Sequence, residues 1–171
     1  MTRRDFVLKW LLYALALLPV LVLNLYVFPR FPLWGTIPTL LPLAAITVAV
    51  LEGPAGGAGF GLFVGILSDA LIPGLSGPMT FVLCFLGLLA GIAARYGVRQ
   101  NLLGCLICSS ISLFLINLIK VLFALIRSYA PLLTLTKVVV PEIIWSLVFL
   151  PLIYVIFLWV YRRVPQASSV L

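Results

Sequence analysis

Six apolar runs, separated by little more than proline, glycine and a few basic residues, leave this chain almost no way to be soluble. They cover roughly Phe6 to Phe28, Ile37 to Leu51, Ala55 to Leu71, Met79 to Ala94, Leu102 to Ile126 and Val138 to Val160. A bilayer core calls for about 20 predominantly apolar residues per crossing helix. Of 171 residues, 64% are hydrophobic and 9% charged, whereas an ordinary soluble domain carries about 25% charged residues. A soluble fold of this size has nowhere to hide so much apolar surface. The expected fold is therefore all-α: a polytopic membrane protein with six transmembrane helices. One domain spans residues 1–164, followed by a short cytoplasmic tail over 165–171, and no length remains for a soluble catalytic module.

The first run follows Thr2-Arg3-Arg4, with Lys9 nearby, and contains Ala14-Leu15-Ala16. That start resembles a signal peptide. The run continues far past any such cleavage point, so it predicts an uncleaved membrane helix, kinked at Pro19. The second run is short and holds Pro42; it is the weakest crossing, either tilted or partly re-entrant. Glu52-Gly53-Pro54 predicts a tight turn. Loops are expected from Pro29 to Pro38, from Pro73-Gly74 to Gly77-Pro78, and over Ser128 to Lys137. Pro141 falls near the start of the last run and Pro151 within it, and Trp159, Tyr161, Arg162 and Arg163 close it as an aromatic and basic interface end.

Six crossings place both termini on one side. If that side is the cytoplasm, Arg3, Arg4, Lys9, Arg95, Arg99, Arg162 and Arg163 lie inside, and Arg30, Arg127 and Lys137 lie outside. Seven against three agrees with the excess of basic residues in cytoplasmic loops. The net charge of +7 reads as topology signals beside anionic lipid. The basic residues form no run and no aromatic platform, so no nucleic-acid partner is expected.

Candidate chemistry is sparse. The chain has no histidine, which removes the commonest general base and metal ligand. Cys105 and Cys108 form a C-x-x-C without the second pair or the context that redox or zinc chemistry requires; with Cys84 they read as small packing residues. No catalytic residue, metal site or cofactor is expected. Two features remain. Gly53, Gly57, Gly61 and Gly65 recur every four residues, with Asp69 continuing the series, and Gly87 and Gly91 repeat the spacing on the fourth run. Such spacing lets helix backbones approach closely. Gly57, Gly61, Gly65, Gly87 and Gly91 are therefore packing residues, either between helices of this chain or as a docking ridge for a partner helix. The second feature is a set of polar residues sharing a depth near the external side: Asp69, Lys120, Glu142, Asn117 and Asn24. Intramembrane charges pair or face a cavity, so Asp69 or Glu142 is expected to pair with Lys120. Glu142 also suits the first turn of a helix after Pro141, and Lys120 could instead snorkel outward.

Several of these residues together resemble the MreD family of rod-shape integral membrane proteins. The resemblance covers nearly the whole chain. It rests on the basic N-terminus leading straight into a helix, Pro38, Glu52-Gly53-Pro54, Gly61-x-x-x-Gly65-x-x-x-Asp69, Gly74 or Gly77, Gly87-x-x-x-Gly91 with Arg95, and a final helix carrying Pro151 and a basic end. It implies a non-catalytic scaffold of bacterial cell elongation and peptidoglycan synthesis in the cytoplasmic (inner) membrane. It implies partnership with the bitopic protein MreC, and with MreB, RodA and a class B penicillin-binding protein. It also implies a bundle similar to the S components of energy-coupling-factor transporters. A vitamin-binding S component is accordingly the alternative, with Trp34, Trp145, Asn24, Asn117, Glu142 and Asp69 available to line a pocket. A small enzyme of lipid metabolism is a third reading, disfavoured by the residue inventory.

Overall fold

A computed structural model describes residues 3–30, 38–71, 78–96, 102–126 and 132–163. The expected loops around Trp34 and Gly74–Gly77, the residues Arg99, Arg127 and Pro131, and the tail over 165–171 lie outside the described residues. Those described are almost wholly helical, with no strand among them. Helix α1 runs Arg3–Val22, widens into a π turn Leu23–Val27 and ends in a 3-10 turn Phe28–Arg30. It is followed by α2 Leu40–Glu52, α3 Pro54–Leu71, α4 Pro78–Tyr96, α5 Leu102–Ile126 and α6 Leu132–Arg163. Five of these are long and apolar enough to cross a membrane, and α2 is a shorter apolar helix. The protein is thus an all-α, multi-pass bundle.

Successive helices alternate in direction. Near its start α1 meets the end of α2 (Lys9 with Glu52), and near its end it meets the start of α2 (Asn24 with Leu40). Helices α3 and α4 are likewise antiparallel, because Gly57 faces Gly87 while Gly65 faces Thr80. The last helix, α6, passes Thr39 at Glu142 and runs on beyond Phe157, which stacks on Tyr13. Both ends of the described chain therefore lie at one end of the bundle.

The architecture is a central helix inside a horseshoe. Every residue from Leu40 to Leu51 is buried, so α2 meets protein on all sides. The other helices surround it in the order α1, α6, α5, α4, α3. Their outward faces carry stripes such as Leu103, Ile107, Ile111, Phe114 and Leu118 on α5, spaced three and four residues apart as a helix facing lipid requires.

The open side of the horseshoe falls between α3 and α1. There the contact is made by rings: Phe60 of α3 lies 6.2 Å from Trp10 and 6.0 Å from Tyr13. It also meets Phe157 of α6 edge-on at 6.0 Å. These spacings suit offset and edge-to-face aromatic pairs.

Two expectations shift. The weak second crossing is the most enclosed element of the molecule. Its 13 residues span only about 20 Å, but a helix sheathed in protein has no hydrocarbon thickness to match. The last helix begins at Leu132, before the expected Val138, and keeps both Pro141 and Pro151 inside it. Pro141 lies in the third turn, where its ring removes one hydrogen bond without ending the helix.

Candidate functional site

The glycine ridge is spent inside the chain. A Cβ at Gly57 would stand 2.5 Å from the Gly87 carbonyl oxygen, and one at Gly65 would stand 2.6 Å from the Thr80 Cα. At Gly91 it would come within 2.5 Å of the backbone where Gly53 joins Pro54. Gly61 and Gly87 are pressed just as closely, against the backbone at Leu83 and at Gly57. Each neighbour is backbone, which cannot swing aside. Gly57, Gly61, Gly65, Gly87 and Gly91 are all buried, and α3 and α4 form a tight hairpin pair. The face suggested for an outside helix is thus already occupied by α4. Turning from α2 into α3 falls to Gly53, whose φ of +84° is a conformation that residues with a side chain rarely adopt.

Polar side chains gather at the two ends of α2. At its start, Asn24 Oδ1 accepts from the Leu40 backbone N–H at 3.3 Å. The Thr39 N–H donates to Ser146 Oγ at 3.1 Å, and Thr39 Oγ1 donates to Glu142 Oε1 at 3.2 Å. Lys120 Nζ donates to the same carboxylate oxygen at 3.0 Å. Side chains from α1 and α6 thereby satisfy backbone donors that a helix start leaves unpaired, and in hydrocarbon those donors have no water to turn to. The π turn of α1 holds Asn24 inward, as single π turns within α-helices do at functional positions.

At the other end, Glu52 accepts from Lys9 Nζ and, at 2.6 Å, from Tyr13 Oη. This ties the last turn of α2 to the first half of α1. Sequence reasoning took Glu52 as part of a turn and Lys9 as a topology signal. Their opposite charge and their common placement at the start-of-chain end of adjacent, antiparallel helices were the available signal for the pair.

Of the five residues grouped by depth, the structure joins three. Lys120 pairs with Glu142, not Asp69, and Asn24 caps the helix start beside them. Asp69 belongs elsewhere: its Oδ2 accepts from the Thr80 N–H at 3.0 Å and from Thr80 Oγ1. The carboxylate sits at the N-terminus of α4, where exposed N–H groups and the helix dipole favour an anion. Asn117 donates to the Leu113 carbonyl of its own helix at 3.1 Å, and its Oδ1 is buried without a partner. Ser68 Oγ and Asp69 Oδ1 are likewise buried and unpartnered.

Of the cysteines, Cys105 meets two buried hydroxyls, those of Thr47 and, on its own helix, Ser109. Cys105 Sγ lies 3.6 Å from Thr47 Oγ1 in the middle of α2, and all three cysteines are free thiols. Among the described residues no three His, Cys, Asp or Glu side chains gather to hold a metal ion.

The three carboxylates with described side chains, those of Glu52, Asp69 and Glu142, each bind a donor on a different helix. Chemically these arrangements are ties between helices. Their class is a multi-pass membrane protein braced by charged clamps at both ends of an enclosed helix. Set against protein-family models, curated proteins and solved structures, the chain matches none of them.

Proposed function

We propose that this chain is a non-catalytic membrane scaffold of the MreD kind, acting in the bacterial cytoplasmic membrane. It binds an MreC-like bitopic protein and supports peptidoglycan synthesis during cell elongation, together with MreB, RodA and a class B penicillin-binding protein. The observation that carries the reading is the use made of the carboxylates. Glu52, Asp69 and Glu142 each fasten one helix to another, which is what a rigid platform asks of its few charges. The sequence resemblance supplies the partners, and the scarcity of extramembrane length directs recognition to the bilayer and the short loops. The docking ridge for a partner helix is not the Gly57–Gly65 face, which α4 fills.

The test is an affinity pull-down of the tagged protein from native membranes in mild detergent, with mass spectrometry of what remains bound. Recovery of an MreC-like bitopic protein, with or without cell-wall synthases, is the expected result. Recovery of an ATPase pair with a coupling membrane subunit would overturn it in favour of a solute-binding S component. The grouping of Glu142, Lys120, Thr39 and Asn24 at one end of the bundle would then be the first place to look for the solute.

A further inference from the structure

On the outer side of the α1–α3 seam lies an apolar groove of about 350 Å³, lined by Trp10, Ala14, Gly59, Phe60 and Phe63. Its shape follows from what two positions lack. Gly59 is exposed and has no side chain, and Ala14 opposite has only a methyl group. A Cβ placed on Gly59 would stand 3.6 Å from Trp10 Cη2, so a longer side chain there would enter the slot. The floor is Phe60, fully buried and fixed by the rings around it. At about 350 Å³ the groove has room for part of one hydrocarbon chain and not for a helix, whose diameter with side chains is about 10–12 Å.

The groove also has a definite depth. Gly59 lies five residues into α3, about 8 Å from its start, and Trp10 follows Lys9 directly. It therefore opens in the leaflet at the end of the bundle where both chain ends lie. The helices put six basic positions at that end (Arg3, Arg4, Lys9, Arg95, Arg162 and Arg163) against Asp5 and Glu52. At the opposite end, Arg30, Lys120 and Lys137 stand against Asp69 and Glu142. Lys9 is neutralised by Glu52, so the excess rests on the arginines, of which Arg95 and Arg162 are exposed. Basic residues at a membrane surface attract anionic headgroups, and a tryptophan at the edge of the hydrocarbon suits the level where headgroup and chain meet.

We propose that the α1–α3 groove binds one acyl chain of an anionic phospholipid, with its headgroup held over the basic end of the bundle. The proposal goes beyond the scaffold reading and is tested on the purified chain alone, so neither depends on the other. Trp10 is the built-in reporter. In the 171-residue chain carrying Trp34→Phe, Trp145→Phe and Trp159→Phe, it is the one remaining tryptophan. The protein is reconstituted into phosphatidylcholine vesicles doped with either brominated phosphatidylglycerol or brominated phosphatidylcholine, and quenching of Trp10 is followed as the doped fraction rises.

Half-quenching is expected at about fivefold lower mole fraction for the phosphatidylglycerol, the preference that roughly one basic side chain near the surface confers. Gly59→Leu, and separately Ala14→Leu from the facing wall, should abolish that preference in protein that stays helical and elutes as one species. Leu89→Phe, at an exposed position on α4, should leave it intact. Coincident titrations for the two lipids would overturn the proposal, as would failure of both lipids to reach Trp10. A preference that survives both groove substitutions would also overturn it, leaving surface charge as the source.

Discussion

The pair formed by Lys120 and Glu142 shows how a single residue can be read and misread. Depth alone brought the lysine together with two acids. The choice between them was made by helix ends: Asp69 sits within reach of the first free N–H groups of α4, whereas Glu142 faces Lys120 and Thr39. The side chains of Lys120 and Glu142 are 26% and 11% exposed, so the pair is mostly out of water and removing one member strands the other. Lys120→Met should destabilise the protein by about 3 kcal/mol, the lower end for breaking a buried pair. Adding Glu142→Gln should recover most of that loss, while adding Asp69→Asn should not. Thermal unfolding in detergent measures all three, and additive losses for Lys120→Met with Glu142→Gln would dissolve the pair. Thr39 and Ser146 were illegible in the sequence because hydroxyls in apolar runs are common, and only the fold brings these two beside the start of α2.

At the scale of elements, the hairpin of α3 and α4 was legible as spacing and α2 was not legible as a core. Glycine every fourth residue announces a close approach but does not name the partner, and α4 carries the matching Gly87 and Gly91. The consequence for substitution is direct. Gly61→Leu would drive a side chain into the Leu83 backbone, at a cost of about 3 kcal/mol or more. Folded yield from membranes should fall sharply, measured as the monodisperse fraction after extraction, rather than partner binding being lost from an intact protein. A well-folded Gly61→Leu protein would mean that α3 and α4 part readily. The second helix looked weak because hydropathy arguments judge a segment by its fit to lipid. Residues such as Ala44, Ala45, Ala49 and Val48, all buried, are small because other helices must come close. Between membrane helices such packing replaces the hydrophobic drive of water.

For the molecule as a whole, the apolar runs predict the membrane and the alternation, and the described helices carry both through. The chain ends share one end of the bundle, and among the described residues that end holds the larger basic excess. Reporter fusions to the N- and C-termini should both place those termini in the cytoplasm, as the basic bias requires. The measurement is activity of a reporter that folds only in the cytoplasm, set against one that matures only outside it. Activity of the external reporter at either terminus would invert the orientation. The aromatic seam among Trp10, Tyr13, Phe60 and Phe157 escaped the sequence because three helices contribute to it. No local pattern records where residues so far apart will converge.

The start of α2 carries one more consequence, which concerns time. Asn24, which caps Leu40, is synthesised before the helix it serves. Ser146 and Glu142, which receive Thr39, follow by 107 and 103 residues. The central helix is thus made early and completed last. While the ribosome is still producing α3, α4 and α5, the start of α2 lacks the two bonds that α6 supplies. The most enclosed element thus takes hydrogen bonds from segments made both before it and last of all, and its start is complete only once α6 has been made.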